Sequence, residues 1–347
     1  MARTDFHPLT VAAVDPLTDD AAAVTFDVPA GLAETFAFAP GQSVTVRRGD
    51  DRRSYSICAP AGRPPRIGVR EVAGGAVSGW LVREVRPGDV IDVQAPAGSF
   101  TPDLSVPGHH VLIAAGSGIT PVLSIAASLL AAGSRVTLLY GNRRADSVMF
   151  ADEVADLKDA HPDRMQLVHV LSREAQEVEL YAGRLDPGKL RALLPVTVDV
   201  PAVSHWWMCG PFGMVTGALE VLAGLGVPRD RIHRELFYVE DEPPAEAQHA
   251  EAAAGPGAEV TVILDGRGTT VTIPPGVPIL DGAQRVRADL PFACKGGVCG
   301  TCRAMVTDGK VSMRRNYALE DSELAAGYVL TCQSLPATET VTVDYDS

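Results

Sequence analysis

The chain has 347 residues, a formal net charge of −13 and six cysteines. That length accommodates two or three domains, and the acidity excludes the basic footprint of a nucleic-acid binder. No run of about eighteen apolar residues is present to cross a membrane as a helix. The N-terminus, Met-Ala-Arg-Thr-Asp-Phe-His-Pro, lacks an apolar segment, and four of the cysteines fall in one pattern. Both features point to a reducing cytoplasm rather than a disulfide framework.

Residues 1–103 read as a small β-domain. Val11–Val14, Ala23–Val28, Ser43–Arg47, Tyr55–Cys58, Ile67–Val72 and Val90–Gln94 are short β-prone runs, punctuated by Ala39-Pro-Gly41 and Arg86-Pro-Gly88. Short strands at that spacing predict a barrel or a sandwich. Arg53-Ser-Tyr-Ser56 stands at a strand start, and Gly74-Gly-Ala-Val-Ser-Gly-Trp-Leu81 is a glycine turn opening a helix. Such a turn exposes backbone N–H groups at the positive end of the helix, where an anion such as a pyrophosphate is favoured.

From Leu104 to 239 strands and helices alternate, which predicts a parallel sheet with helices on both faces. The expected strands are Val111–Ala114, Val136–Tyr140, Leu167–Leu171 and His205–Cys209. The expected helices are Val122–Leu130, with Thr120 as N-cap and Pro121 as first helical residue, then Met149–Asp159 and one from about Gly213 to Leu225. Gly116-Ser-Gly118, Asn142-Arg143, Ser172-Arg173 and Cys209-Gly-Pro211 all fall at strand carboxyl ends. Ligands of open parallel sheets bind there, so the shared position says more than any one motif.

Residues 240–258 carry five acidic and no basic side chains, with Pro243, Pro244 and Pro256. This composition predicts a flexible acidic linker. Beyond it, Val260–Leu264 and Thr269–Ile273 flank Asp265-Gly266 as a hairpin. Ile279–Arg287 reads as a helix and Val341–Tyr345 as a closing strand. Between them Cys294, Cys299 and Cys302 follow a C-x₄-C-x₂-C spacing, with Cys332 distant. That is the plant-type pattern for a [2Fe–2S] cluster. A Cys₄ zinc site or a disulfide pair is the alternative, although zinc ribbons usually use two close C-x₂-C pairs. The eight histidines show no metal-site spacing and read as surface or satisfied residues.

Taken in order, Arg53-x-Tyr55-Ser56, the Gly-Gly-x-x-Ser turn ending at Ser78, Gly116-Ser-Gly-Ile-Thr-Pro121, Cys209-Gly-Pro211 and the four cysteines cover essentially the whole chain. Together they resemble the ferredoxin-NADP reductase family fused to a plant-type ferredoxin. The resemblance implies a multidomain fold. An antiparallel β-barrel FAD domain would occupy 1–103, an α/β parallel-sheet NADP domain 104–239, and an α+β β-grasp ferredoxin domain 259–347. Such fusions serve oxygenases. Tyr140-Gly-Asn-Arg143, Cys294-Lys-Gly-Gly-Val-Cys299, Asn316-Tyr-Ala-Leu-Glu320 and Gly327-Tyr-Val-Leu-Thr-Cys-Gln333 bring the chain nearest to reductases of di-iron epoxidases. Reductases of Rieske ring hydroxylases or steroid hydroxylases are the second reading. A non-enzymatic redox-sensing or zinc-stabilised interaction module is the reading from another class.

By resemblance, Arg53 would pair with FAD phosphates, Tyr55 would stack on the flavin ring and Ser56 would hydrogen-bond near it. Arg70 and Ser78, with backbone from Gly75 to Val77, would hold the pyrophosphate. Thr120 and Cys209 would lie on the nicotinamide side, and Phe237 would either cover the flavin or sit in the core. Gly116, Gly118, Gly210 and Pro211 would line the coenzyme crevice. Cys58 reads as barrel core. NADPH is the expected coenzyme, because arginine offers a planar fork to a 2′-phosphate. Ser172 and Arg173, with Arg143, would be the readers, while the adjacent Glu174 keeps a ribose-hydroxyl reading open. A flavin is needed between a two-electron donor and a one-electron cluster, so no acid–base residue is assigned. Lys295, Arg303, Arg314 and Arg315 would meet an acidic site on the oxygenase.

Overall fold

A computed structural model of the chain describes residues 5–49, 51–238, 257–287, 289–319 and 321–347. The chain divides into two compact units. The larger holds most of a barrel and a parallel sheet; the smaller holds a C-terminal mixed sheet together with the short segment Arg52–Ser54.

Six antiparallel strands form the barrel: β1 (Phe6–Thr18), β2 (Ala21–Asp27), β3 (Ser43–Arg48), β4 (Asp51–Ser56), β5 (Arg66–Arg70) and β6 (Val90–Gln94). Their order is β4-β3-β6-β1-β2-β5. The two edges meet through an Ile57–Ile67 bridge, where Cys58 N–H donates to the Arg66 carbonyl at 2.8 Å. Closure removes the exposed strand edges that an open sheet would leave. Alternate side chains point inward, so Val24, Phe26, Val44, Val46, Ile67, Val69, Ile91 and Val93 make one buried core. Helix α1 (Ala76–Arg83) packs Val77 and Leu81 onto it.

The parallel sheet contains β7 (His109–Ala115), β8 (Arg135–Asn142), β9 (Met165–Leu171), β10 (His205–Pro211) and β11 (Ile232–Tyr238), in the order β11-β10-β7-β8-β9. Helices α2 (Ile119–Ala131), α3 (Ala151–Ala160), α4 (Pro187–Thr197) and α5 (Phe212–Gly224) alternate with the strands. The strand order reverses direction between β7 and β10, and a crevice opens at such a switch point. The expected strands are all present. Strand β11 and helix α4 go beyond the sequence expectation, although α4 carries its own start signal. Asp186 accepts the Lys189 N–H at 2.8 Å and Pro187 occupies the first helical position.

Three helix boundaries need correction. Thr120 is not an N-cap. Gly116–Gly118 forms a 3₁₀ turn that runs directly into α2, so the helix starts at Ile119 and the Thr120 hydroxyl donates to the Ser117 carbonyl at 3.0 Å. Helix α3 starts at Ala151 because Phe150 takes a left-handed conformation, with φ 57°. The expected helix at Ile279–Arg287 stops at Ala283, after which i→i+3 bonds tighten the chain into turns.

In the smaller unit, β12 (Ala258–Leu264) and β13 (Arg267–Ile273) make the expected hairpin, and Ile279–Ala283 forms the short helix α6. β14 (Arg303–Asp308), β16 (Tyr328–Leu330) and β18 (Thr340–Asp344) complete a sheet of order β13-β12-β18-β14-β16. β15 (Val311–Met313) pairs separately with β17 (Ser334–Pro336). β12 and β18 run parallel, and the helix lies over the core they form with Leu290, Leu319 and Leu330, as in a β-grasp. Residues 240–256 of the expected linker lie outside the described residues, as does Glu320.

Candidate functional site

The switch point brings together residues that are far apart in the sequence. Gly116 follows β7 and Cys209 closes β10, so their backbones flank one crevice. Gly118 is demanded by this packing, since a Cβ there would lie 2.1 Å from the Cys209 carbonyl oxygen. Gly68 on β5 faces a similar limit, because a Cβ would meet the Thr120 methyl at 2.5 Å and the Phe150 ring at 2.8 Å. Thr120 thus packs against the barrel strand through its methyl, and it is buried. The barrel contributes β4 to this region. Ser56 at its end is buried and Tyr55 is half-buried against the barrel core, whereas Arg53 falls in a segment, Arg52–Ser54, that groups with the smaller unit, where it is exposed with Nη1 donating to the Arg52 carbonyl at 2.7 Å.

A carboxylate absent from the sequence-level site list sits at the centre. The Ser56 hydroxyl donates to Glu235 Oε2 at 3.2 Å, and the Cys209 thiol lies 3.9 Å from the same oxygen. Burial pushes Glu235 up to about 7, and the bonds from Ser56 and Cys209 only partly oppose this. Burial, then the charge of Glu235, raises Cys209 well above the usual thiol range. At neutral pH Cys209 is therefore a thiol that donates, and Glu235 is poised to hold or release a proton. Nothing local in Arg234-Glu-Leu-Phe237 flags this, because the pairing requires β11 to lie beside β10 in register. Phe237, on the same strand, is 36% exposed and is not a core aromatic. Cys58 is buried, as expected, but it belongs to the core cluster of the parallel-sheet layer, with Leu123, Ala126 and Phe150, rather than to the barrel cluster, and burial raises its thiol to about 12.

Two further groups fall among the expected cofactor-binding residues. Helix α1 begins at Ala76 with Gly75 as its N-cap, and the N–H groups of Ala76, Val77 and Ser78 lie in its first turn, outside the intrahelical ladder. The Ser78 hydroxyl accepts from Val72 N at 3.1 Å and braces the turn from within. Arg70 bridges layers: Nη2 donates to the Ser147 carbonyl at 2.7 Å and Nε lies 3.2 Å from Asp20. At the carboxyl ends of β8 and β9 two loops are laced together. Ser172 N and its hydroxyl both donate to the Asn142 carbonyl, at 2.9 and 3.2 Å, and Arg173 N donates to the Arg143 carbonyl at 2.7 Å. Glu174 Oε2 accepts the Ala145 N–H at 2.9 Å. The exposed side chains of Arg143 and Arg173 leave from adjacent backbone on this platform.

The smaller unit presents its four cysteines on one loop and one strand end. Cys294 interacts most strongly with Cys299 and Cys302 with Cys332, while Cys299 also acts on Cys302 and Cys294 on Cys332. The Cys299 thiol lowers Cys294 to about 5 and Cys302 lowers Cys332, while each donating thiol is raised in turn. Thiolates are soft donors that suit iron–sulfur ligation, and the C-x₄-C-x₂-C spacing with a distant fourth cysteine is the plant-type one. The loop is shaped for this, with Lys295, Gly297 and Gly300 at positive φ and Gly296 N–H donating to Cys294 Sγ at 3.3 Å. Gln333 Nε2 reaches the Lys295 carbonyl at 2.8 Å and ties the fourth cysteine to the loop. Two of the expected docking cations are already paired: Lys295 with Asp281 at 2.8 Å and Arg303 with Glu323 at 3.4 Å. Arg314 is exposed.

Residues 112–220 match the oxidoreductase NAD-binding domain family, and residues 262–337 match the 2Fe-2S iron-sulfur cluster binding domain family. The chain is 42% identical to one component of the 1,2-phenylacetyl-CoA epoxidase of Escherichia coli, over 99% of both chains. It is 35% identical to the ferredoxin reductase component of 3-ketosteroid-9-alpha-monooxygenase of Mycobacterium tuberculosis, over 97% of this chain and 95% of that one. Among solved structures, phthalate dioxygenase reductase superposes with a TM-score of 0.60 at 23% identity, over 98% of both chains, which is a likeness of fold.

Proposed function

Because the chain belongs to the ferredoxin-reductase family of oxygenase reductase components that end in a [2Fe–2S] domain, we propose that it carries electrons from NADPH to the di-iron oxygenase of a phenylacetyl-CoA epoxidase. It is an oxidoreductase that uses NAD(P)H, FAD and a [2Fe–2S] cluster. Bound together, these groups turn a two-electron donation into single-electron deliveries. The observation that carries the choice of acceptor is the 42% identity running end to end with the Escherichia coli epoxidase component.

The chain's own residues bind, orient and shield. Arg53, Tyr55, Ser56 and the first turn of α1 at Gly75–Ser78 would hold FAD, with Arg70 behind them and Phe237 as the exposed cover. Gly116, Gly118, Thr120, Cys209, Gly210 and Pro211 would receive the nicotinamide end of the coenzyme. Glu235 would hold a proton on its carboxylate beside Ser56 Oγ, within the crevice where redox change alters the charge. Cys294, Cys299, Cys302 and Cys332 would ligate the cluster. The NADPH preference is supported by Arg143 and Arg173 on their shared platform. It is also supported by Glu174, whose carboxylate is engaged by the Ala145 N–H.

We assign the barrel to 1–103, the coenzyme domain to 104–239 and the ferredoxin domain to 259–347, joined by 240–258. No described helix is long and apolar enough to cross a membrane, and the thiol ligands suit a reducing cytoplasm. Docking would rest on apolar contact and on Arg314, because Lys295 and Arg303 already have partners. Reconstitution tests the reading: NADPH, this protein, the epoxidase's oxygenase subunits and phenylacetyl-CoA, with product analysis. Epoxide formation is expected. Failure there, beside rapid turnover with a steroid or Rieske hydroxylase, would transfer the assignment to that class of acceptor.

A further inference from the structure

At the opposite ends of the same strands lies a second cluster of side chains, which the electron path does not use. His205 opens β10 and His233 lies near the start of β11. Their rings approach with His205 Nδ1 3.1 Å from His233 Nε2. We propose that this pair is a binding site for a divalent transition ion of the zinc type, completed by water and clamping β10 to β11.

Geometry carries the proposal. Two imidazoles on one zinc, at about 2.0–2.1 Å per bond and a near-tetrahedral angle, place their nitrogens about 3.3 Å apart. The observed contact is a hydrogen bond between two neutral rings, so an ion entering here would displace the shared proton and turn both lone pairs towards itself at nearly the same nitrogen separation. Those rings are held in place: Trp207 stacks on His233 at 4.0 Å and 17°, and His110 stacks on His205 at 5.7 Å and 18°. Trp207 Nε1 in turn donates to His110 Nδ1 at 3.3 Å, so the supporting rings are themselves fixed.

The pair is also reachable. Both rings are partly accessible, and His205 lines an open cavity of about 370 Å³ together with Ser204 and Arg231. Water can occupy the remaining coordination positions from that side. Asp230 exerts a negative field on both rings and Arg231 a positive one on His205. Asp230 is thus the natural counter-charge for a cation. Two protein ligands make such a site weaker than a four-ligand structural zinc, and binding should show as a stabilisation that rises with ion concentration.

The sequence hides the pair, because its members stand far apart in the chain and each is a lone histidine on a strand. A calorimetric titration of the FAD- and cluster-loaded protein with Zn²⁺, in metal-free buffer, tests it while the visible spectrum monitors both cofactors. One equivalent is expected to bind. H205Q and H233Q, which keep a hydrogen-bonding amide but offer a poor zinc ligand, should each weaken it by about tenfold or more. H161Q, at a distant histidine, should leave it unchanged. An unaltered isotherm in both pair variants, or no binding to the unmodified protein, overturns the proposal. Should either variant fold poorly, the unmodified protein supplies a second measurement. Cu²⁺ in the pair would lie against the Trp207 ring and quench part of the tryptophan fluorescence, and an unquenched signal at saturating Cu²⁺ overturns the site as well.

Discussion

A carboxylate that loses its water gains affinity for a proton, and Glu235 is the residue here whose chemistry follows most directly from that rule. Its proton affinity corresponds to about 7 in the folded chain, against an ordinary value of 4.5. Between those values the folded chain binds more protons than the unfolded one. Stability should therefore fall as pH rises through this window, with the loss complete above it. The full shift would be worth about 3 kcal/mol, and the partial accessibility of Glu235 reduces that to about 1–2 kcal/mol. Melting curves of flavin-depleted protein, taken from about pH 5 to about pH 8, would report it. Relative to Glu235→Gln, the unmodified protein should lose stability as pH rises; parallel profiles would show that Glu235 is not the responsible group. Ser56 is legible in the sequence because it belongs to the short motif Arg53-Ser-Tyr-Ser56. The sequence hid Glu235 because only the parallel pairing of β11 with β10 delivers that side chain to Ser56 and Cys209.

At the scale of elements, the legible parts were those with a strong local pattern. The barrel strands announced themselves through β-branched runs between glycine and proline turns, and the parallel strands through short apolar runs. Helix α4 was missed although Asp186-Pro187 opens it, because its proline-interrupted sequence gives a weak helical period. The laced loops after β8 and β9 were visible only as two separate arginine dipeptides. Their hydrogen bonds make one platform of them, and that platform has a kinetic consequence. Removing the Arg173 guanidinium should cost NADPH about tenfold in kcat/KM, roughly 1.4 kcal/mol, through loss of a charge-assisted contact with the 2′-phosphate. NADH, lacking that phosphate, should change little. Steady-state kinetics of Arg173→Ala with both coenzymes decides the matter, and an unchanged preference would remove Arg173 from the reading.

At the scale of the whole molecule, the crevice residues from Ser56 to Glu235 lie in the larger unit, and the four cysteines lie in the smaller one. Each unit has its own buried core, one built on β1–β6 and the parallel sheet and the other on β12–β18. Loss of the cluster should therefore leave the flavin site standing. Cys332 is the most informative position, because it is remote from the other three in sequence and is brought to them by the β14–β16 pairing and by Gln333, whose amide reaches the Lys295 carbonyl. If all four cysteines ligate as proposed, Cys332→Ala removes one of the four donors. The expected protein retains FAD absorbance and reduces ferricyanide with NADPH at close to the unmodified rate, since that acceptor can draw on the flavin. Its iron–sulfur absorbance disappears, and cytochrome c reduction falls by about tenfold or more, as expected when a step in series is lost. A Cys332→Ala protein with a normal cluster spectrum would exclude it as the fourth ligand. Parallel loss of ferricyanide and cytochrome c activity would instead show that the two units do not hold their cofactors independently.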